Sequence, residues 1–261
     1  MAFELTNRRA LITGAGAPRG IGMASARLLG EMGASLYLTG ASSRVLERAA
    51  ELRDEGLDAH ASSADLTDVR QVDELHHRVL EQFGTLDILV NNAGMTSVER
   101  PIEESGEIGD VSQVTEREFE QALTRNLTTA FSLTRALMPS IRASSAGRIV
   151  MVASVTGGLM AMRGQVPYGA SKAGLIGLVR AVALDEAPYG ITVNAVAPGW
   201  IATESQTEHE HLQGLRAPMG RSGSATEVAA AIAWLCSAEA SYITGQSVVV
   251  DGGNSIAEER F

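Results

Sequence analysis

RALITGAGAPRGIGMASARLLGEM, running from Arg9 to Met32, decides the fold of this chain. Arg9–Thr13 reads as a short apolar strand, Gly14–Gly22 as a glycine-rich turn, and Met23–Met32 as a helix rich in Ala and Leu. Strand, glycine turn and helix in that order form the context in which glycines bind phosphate. Gly14 and Gly16 permit a tight turn and close backbone approach. The helix that follows offers free N–H groups to a pyrophosphate. A glycine-rich loop without a ligand is the alternative, and the flanking elements argue against it.

The same alternation continues in both directions. Ser35–Thr39 (SLYLT) reads as a second strand and Arg44–Glu55 as a second helix. Asp58–Ser63 is a third strand leading to Asp65, and Asp68–Phe83 a third helix. Leu86–Val90 is a fourth strand ending in NNAG, Asn91 to Gly94. Further on, Ile191–Val196 is a strand leading into Pro198 and Gly199, Thr226–Cys236 a helix, and Ser247–Val250 a last strand closed by Asp251–Gly253. Strands and helices at this spacing predict an α/β protein with a parallel sheet of about seven strands, helices on both faces and right-handed crossovers. No linker or internal repeat divides the chain, so residues 1–261 are expected to form a single domain.

Three stretches stand apart from this rhythm. Residues 96–114 are acidic (Glu99, Glu103, Glu104, Glu107, Asp110) and broken by Pro101, Gly106 and Gly109, which predicts a surface excursion. Glu116–Ile141 reads as one long helix with Phe119, Leu123, Leu127, Phe131 and Leu137 as its apolar stripe and Asn126 inside it. Glu204–Leu215 is polar and expected to be mobile, part of a lid near 201–222. Its His209 and His211 have no ligand company that would make a metal site.

The chemistry concentrates in RIVMVASVTGGLMAMRGQVPYGASKAGLIGLVRAVAL, Arg148 to Leu184. Arg148–Ala153 is a buried-strand pattern that delivers Ser154 at its C-terminal end, where open α/β sheets place their ligands. From Tyr168 onward Leu175, Leu178, Val179 and Val182 recur at helical spacing. Tyr168 and Lys172, four apart, share one face of that helix. A free phenol titrates near ~10, and a neighbouring ammonium lowers that value, so such a tyrosine can exchange a proton with an oxygen near neutral pH. Met160, Met162, Arg163, Gln165 and Trp200 are expected to border the substrate pocket.

Composition sets the outer bounds. With 45% hydrophobic and 20% charged residues the chain can bury a sizeable core. A net charge of −10 argues against nucleic acid or an anionic membrane as partner. Cys236 is the single cysteine, which excludes an internal disulfide and suits a reducing compartment. The opening MAFELTNRRALITG has no apolar signal segment, and no run reaches the ~18 apolar residues of a membrane span. A cytoplasmic protein is expected.

Together these residues resemble the short-chain dehydrogenase/reductases, over nearly the whole span from Ala10 to Gly253. The landmarks stand in that family's order: Thr13 and Gly14 with Gly20 and Gly22, Asp65 in ADL, NNAG, Asn126, Ser154, YGASK, and APG followed by Thr203. The closing ITGQSVVVDGG is similar to the 3-oxoacyl-acyl-carrier-protein reductase branch. Two residues more than the family's usual spacing separate Gly14 from Gly20, and Ser154 to Tyr168 is one residue longer than usual.

The resemblance implies a Rossmann-type doubly wound sheet and an NADP(H)-dependent oxidoreductase acting on a ketone, aldehyde or secondary alcohol. It implies Tyr168 as general acid and base, and Lys172 as the residue that tunes it and bonds the nicotinamide ribose. Ser154 would hold the substrate oxygen, and Asn126 a water linked to Lys172. The cofactor set it implies comprises Gly14, Gly16, Arg19, Gly20, Ile21, Gly22, Ser42, Arg44, Asp65, Leu66, Asn92, Ala93, Gly94, Tyr168, Lys172, Pro198, Gly199, Ile201 and Thr203. A homo-oligomer, dimer or tetramer, also follows from it. Preference for NADP(H) is read from the second strand, where Gly40 stands in place of the acidic side chain that binds ribose hydroxyls. Arg19 and Arg44, the latter behind Ser42 and Ser43, supply positive charge for a 2′-phosphate. Two rival readings keep the fold without the chemistry. One is a dinucleotide-sensing module. The other is a non-catalytic subunit that binds a partner through residues 96–114.

Overall fold

Every central strand alternates its side chains between two separate cores, and this alternation builds the molecule from a single sheet. The computed structural model describes residues 3–94 and 108–258. Its main sheet comprises β1 (Arg9–Thr13), β2 (Ser35–Gly40), β3 (Ala59–Ser63), β4 (Ile88–Asn91), β5 (Arg148–Val152), β6 (Thr192–Pro198) and, after two short strands described below, β9 (Ser247–Val250). The order is β3-β2-β1-β4-β5-β6-β9 with all neighbours parallel. On β1, Ala10 and Ile12 enter one core and Leu11 the other. Ile88 and Val90 against Leu89 do the same on β4, as do Val150 and Val152 against Ile149 and Met151 on β5. A period of two with both faces apolar is what a doubly covered parallel sheet requires.

Helices α1 (Ile21–Glu31), α2 (Arg44–Asp54) and α9 (Ala225–Cys236) contribute Met23, Leu29, Leu52 and Ile232 to the first core. Helices α3 (Val69–Phe83), α5 (Thr129–Arg142) and α7 (Val166–Glu186) contribute Leu75, Leu133, Leu137, Leu175 and Val179 to the second. Each such side chain, fully withdrawn from water, contributes roughly 1.5–3 kcal/mol of hydrophobic stabilisation. The expected fold class is thus the observed one: a doubly wound sheet, seven-stranded.

Two expectations need correction. Glu116–Ile141 is not one regular helix: α4 (Glu116–Leu123) passes through a π-helical turn, Thr124–Thr128, into α5. The wider turn admits an extra residue and rotates the register. The buried face therefore runs through Ala122, Asn126, Ala130, Leu133, Leu137 and Ile141. Of the expected stripe, Leu137 is buried, Phe119, Leu123 and Leu127 are half-buried, and Phe131 is 47% exposed.

The second correction concerns Glu204–Leu215, which contains a helix, α8 (Glu208–Leu215). Thr207 caps it, accepting from Glu210 N at 3.2 Å, while the Glu210 carboxylate accepts from Thr207 N at 2.7 Å. Short strands β7 (Ile201–Ala202) and β8 (Gly223–Ser224) pair beside it, so residues 201–222 carry secondary structure of their own. Most of the acidic 96–114 stretch lies outside the described residues. Its end does not: Gly109 N donates to Gly164 O at 2.6 Å, and Gly109 O accepts from Val166 N at 3.4 Å, which ties it to the start of α7.

Candidate functional site

The C-terminal ends of β1 to β6 open on one cleft of ≈ 1250 Å³. It lies over the point where the chain reverses its direction across the sheet, between β1 and β4, the place such sheets use for ligands. Its volume exceeds the roughly 300–1,000 Å³ of ordinary small-molecule pockets.

The glycine turn after β1 forms one wall. Gly14 has φ +66°, a conformation open to glycine with little strain. Gly22 serves packing: a Cβ there would stand 2.5 Å from Gly14 O and 2.7 Å from Asn92 Nδ2, so the first turn of α1 rests on the loop beneath it. Asn92 Nδ2 donates to Thr13 O at 3.0 Å and Gly14 O at 3.1 Å, and Thr13 Oγ1 accepts from Asn92 N and Ala93 N at 2.9 and 2.8 Å. The glycine turn and NNAG are thereby locked into one unit, a backbone surface fit for a dinucleotide.

On the wall formed by β5 and α7, Ser154 follows the strand and caps a short turn, α6 (Val155–Gly158), accepting from Thr156 N at 3.1 Å. Tyr168 and Lys172 are both buried on one face of α7. Lys172 Nζ donates to Val152 O at 3.0 Å and lies 5.7 Å from the centroid of the Tyr168 ring. Asn126, 1% exposed, sits in the π turn behind NNAG: its Nδ2 donates to Ala122 O at 3.1 Å, and a Cβ on Gly94 would meet its Oδ1 at 3.0 Å. The π turn therefore brings Asn126 inward to the NNAG loop.

The cleft gathers nearly all the residues expected of it. Gly14, Gly16, Gly20, Ile21, Ser42, Arg44, Asp65, Leu66, Asn92, Ala93, Gly94, Pro198, Gly199, Ile201 and Thr203 line it together with Ser154, Tyr168 and Lys172. Gly22, Asn126 and Arg19 are not lining residues. Arg19 has its side chain 79% exposed and its Nε 3.4 Å from Oε1 of Glu204, itself a lining residue. Arg44 Nε donates to Ser42 Oγ at 3.2 Å within the cleft. Of the expected pocket border, Met162, Gln165 and Trp200 line the cleft, whereas Met160 and Arg163 do not. Sequence reasoning missed Gln121, Thr124, Arg125, Gln206 and Glu210 in the lining. The Thr207-x-x-Glu210 capping pattern was the available signal for the last of these.

Comparison with known proteins agrees with this geometry. The family model described as enoyl-(acyl carrier protein) reductase matches residues 14–255. The chain is 36% identical over 256 residues to 3-oxoacyl-acyl-carrier-protein reductase FabG of Vibrio cholerae, covering 96% of this chain and 98% of that one. It is 37% identical over 259 residues to the Escherichia coli protein of the same name, covering 97% and 98%. Among solved structures, a dehydrogenase/reductase from Sinorhizobium meliloti superposes with a TM-score of 0.88 at 30% identity, covering 98% of each chain. Levodione reductase superposes with a TM-score of 0.87 at 33% identity, covering 97% of this chain and 100% of that one. With sequence and structure agreeing along the full sheet and its cleft, the chain belongs to the short-chain dehydrogenase/reductase family of oxidoreductases.

Proposed function

We propose that the protein is an NADP(H)-dependent oxidoreductase that interconverts a carbonyl compound, ketone or aldehyde, and the corresponding alcohol, with Tyr168 as proton donor and acceptor. The observation that carries this reading is the buried Tyr168–Lys172 pair on α7, which shares with Ser154 a cleft also lined by a glycine turn. When bound, the nicotinamide supplies or takes up hydride.

The protein's own share is orientation and one proton. Ser154 Oγ holds the substrate oxygen, and the Tyr168 hydroxyl gives that oxygen its proton in reduction or removes it in oxidation. Lys172, anchored by Val152 O, keeps a positive charge near the phenol and so favours phenolate when the proton has left. Asn126 holds the water that replenishes the proton through Lys172. The glycine turn and NNAG hold the pyrophosphate and the ribose, Asp65 and Leu66 the adenine, and Ile201 with Thr203 the carboxamide. Gly40 leaves room where a carboxylate would repel a 2′-phosphate, and Arg44 with Ser42 offers donors from inside the cleft. Arg19 joins them by leaving Glu204.

The chain acts as a homotetramer in this reading, through apolar residues left uncovered on α5 and α7. The test is turnover of NADPH with a panel of carbonyl compounds. Cofactor binding with no turnover of any of them would return the protein to the class of dinucleotide sensors.

A further inference from the structure

One ion pair joins residues 185 apart in the sequence, Arg19 and Glu204. Arg19 stands third in a four-residue turn closed by Gly20 N, which donates to Ala17 O at 3.0 Å. That turn lies in the stretch from Gly14 to Gly20, which is two residues longer than the family's usual spacing. Glu204 follows β7, in the segment that leads to α8. Its backbone is held on both sides: Thr203 N donates to Ile201 O at 2.9 Å, Gln206 N to Thr203 O at 3.2 Å, and Gln206 Nε2 to Ser222 Oγ at 2.8 Å. The Glu204 carboxylate is thereby kept on the cleft lining, 23% exposed, with Arg19 Nε at 3.4 Å. Charge-assisted bonds of this kind ordinarily measure about 2.7–2.9 Å, and bidentate ones add geometric specificity. This one is longer, is made through Nε, and leaves the arginine largely in water. It ties the glycine turn to the segment after β7, yet holds Arg19 weakly enough for a stronger anion to take it.

We propose that Glu204 is a cofactor-discriminating residue that competes with the 2′-phosphate of NADP(H) for the Arg19 guanidinium. The inference rests on the NADP(H) reading above and deepens it. With NAD(H), which has a hydroxyl in place of that phosphate, Arg19 stays on Glu204. With NADP(H), Glu204 must give Arg19 up, and its carboxylate is left without that cation. Arg19 therefore favours NADP(H) by less than an arginine with no carboxylate beside it would, and Glu204 sets the difference.

The test reads binding and needs no turnover. Kd values for NADPH and NADH are measured by fluorescence titration at low salt, where exposed charges are least screened. The proteins are wild type, Glu204→Gln, Glu204→Ala, Arg19→Ala and the double variant Arg19→Ala with Glu204→Gln. The ratio of the NADH Kd to the NADPH Kd should rise about threefold in Glu204→Gln, the scale of one exposed ion pair. Glu204→Ala repeats the measurement without an amide that could bond Arg19 anew. In the Arg19→Ala background Glu204→Gln should leave the ratio where it was, since there is no guanidinium left to compete for. A rise in either Glu204 variant that disappears without Arg19 upholds the proposal. A ratio unchanged by both variants overturns it, as does an equal rise with and without Arg19, which would make Glu204 a general repulsion and not a competitor. The wild-type ratio judges the NADP(H) reading separately: a value near one refutes that preference, while an Arg19-dependent rise in Glu204→Gln still upholds the competition.

Discussion

Lys172 Nζ lies 5.7 Å from the centroid of the Tyr168 ring and is held there by a 3.0 Å bond to Val152 O, the last residue of β5. Strand and helix thus fix one ammonium next to one phenol. Replacing Tyr168 by Phe removes only the hydroxyl and keeps the ring's packing. It should lower kcat/KM for carbonyl reduction by about 10²–10⁴-fold, the range of general acid–base catalysis, with NADPH affinity nearly unchanged. Steady-state kinetics and fluorescence titration check both halves. Near-normal turnover would take Tyr168 out of the mechanism.

Gly40 ends β2 facing the cleft, and a Cβ there would lie 3.7 Å from Gly16 N and 3.8 Å from Val45 Cβ, ordinary contact distances. An aspartate is therefore accommodated at this position. Wild type should favour NADPH over NADH by at least about tenfold in kcat/KM, and Arg44→Ala should erode that preference through loss of a charge-assisted phosphate bond. Gly40→Asp should reverse it by placing a carboxylate against the 2′-phosphate. Equal use of both cofactors by the wild type would refute the reading. The Arg19→Ala variant measures how far this residue leaves Glu204 to join the site.

Phe131 on α5 and Leu184 on α7, 47% and 78% exposed, are large apolar side chains on helices whose other faces already fill the second core. Tyr242, ahead of β9, is fully exposed. Uncovered apolar surface on both helices fits an isologous interface between copies. Light scattering at micromolar concentration should give the mass of a tetramer, and Phe131→Glu with Leu184→Glu should dissociate it. A stable wild-type monomer contradicts the assembly.

Asp87 sits at the opposite end of the sheet from the cleft. Its Oδ2 accepts from Arg9 N at 2.9 Å and Arg9 Nε at 2.8 Å, and its Oδ1 from Ser144 Oγ at 2.6 Å. Burial, the largest single influence, pushes its pKa up, but the bonds from Ser144 and Arg9 together outweigh it and hold the carboxyl below its ordinary value. A depressed folded-state pKa means stability that is present above the unfolded value, ~3.9, and lost as pH falls through the folded one. Asp87→Asn should therefore be less stable than wild type at neutral pH, and the gap should narrow below about pH 4. Urea melts across that range test it; a gap independent of pH would deny the carboxylate this role.

Much of the architecture was open to reading because its signals are local. Strand patterns at Arg9–Thr13 and Ser247–Val250 have the same bounds in the structure, since β-branched and apolar runs between turn residues leave few alternatives. Tyr168 and Lys172 meet because a spacing of four is a property of any α-helix. The missed helix α8 carried its own local signal, the Thr207–Glu210 cap, inside a stretch too polar for apolar periodicity to mark.

The sequence by itself determined the alternation of strands and helices, the glycine turn, and which hydroxyl and ammonium share a helix face. Only the tertiary structure decided that a π turn would carry Asn126 inward behind Gly94, because the extra residue is accommodated by packing between α4, α5 and α7. It decided likewise that Gly22 serves the loop beneath it, and that Arg19 pairs with Glu204 while Arg44 lines the cleft. Each of these depends on contacts between residues distant in the chain, and local pattern holds no information about which partner an outward or inward side chain will find.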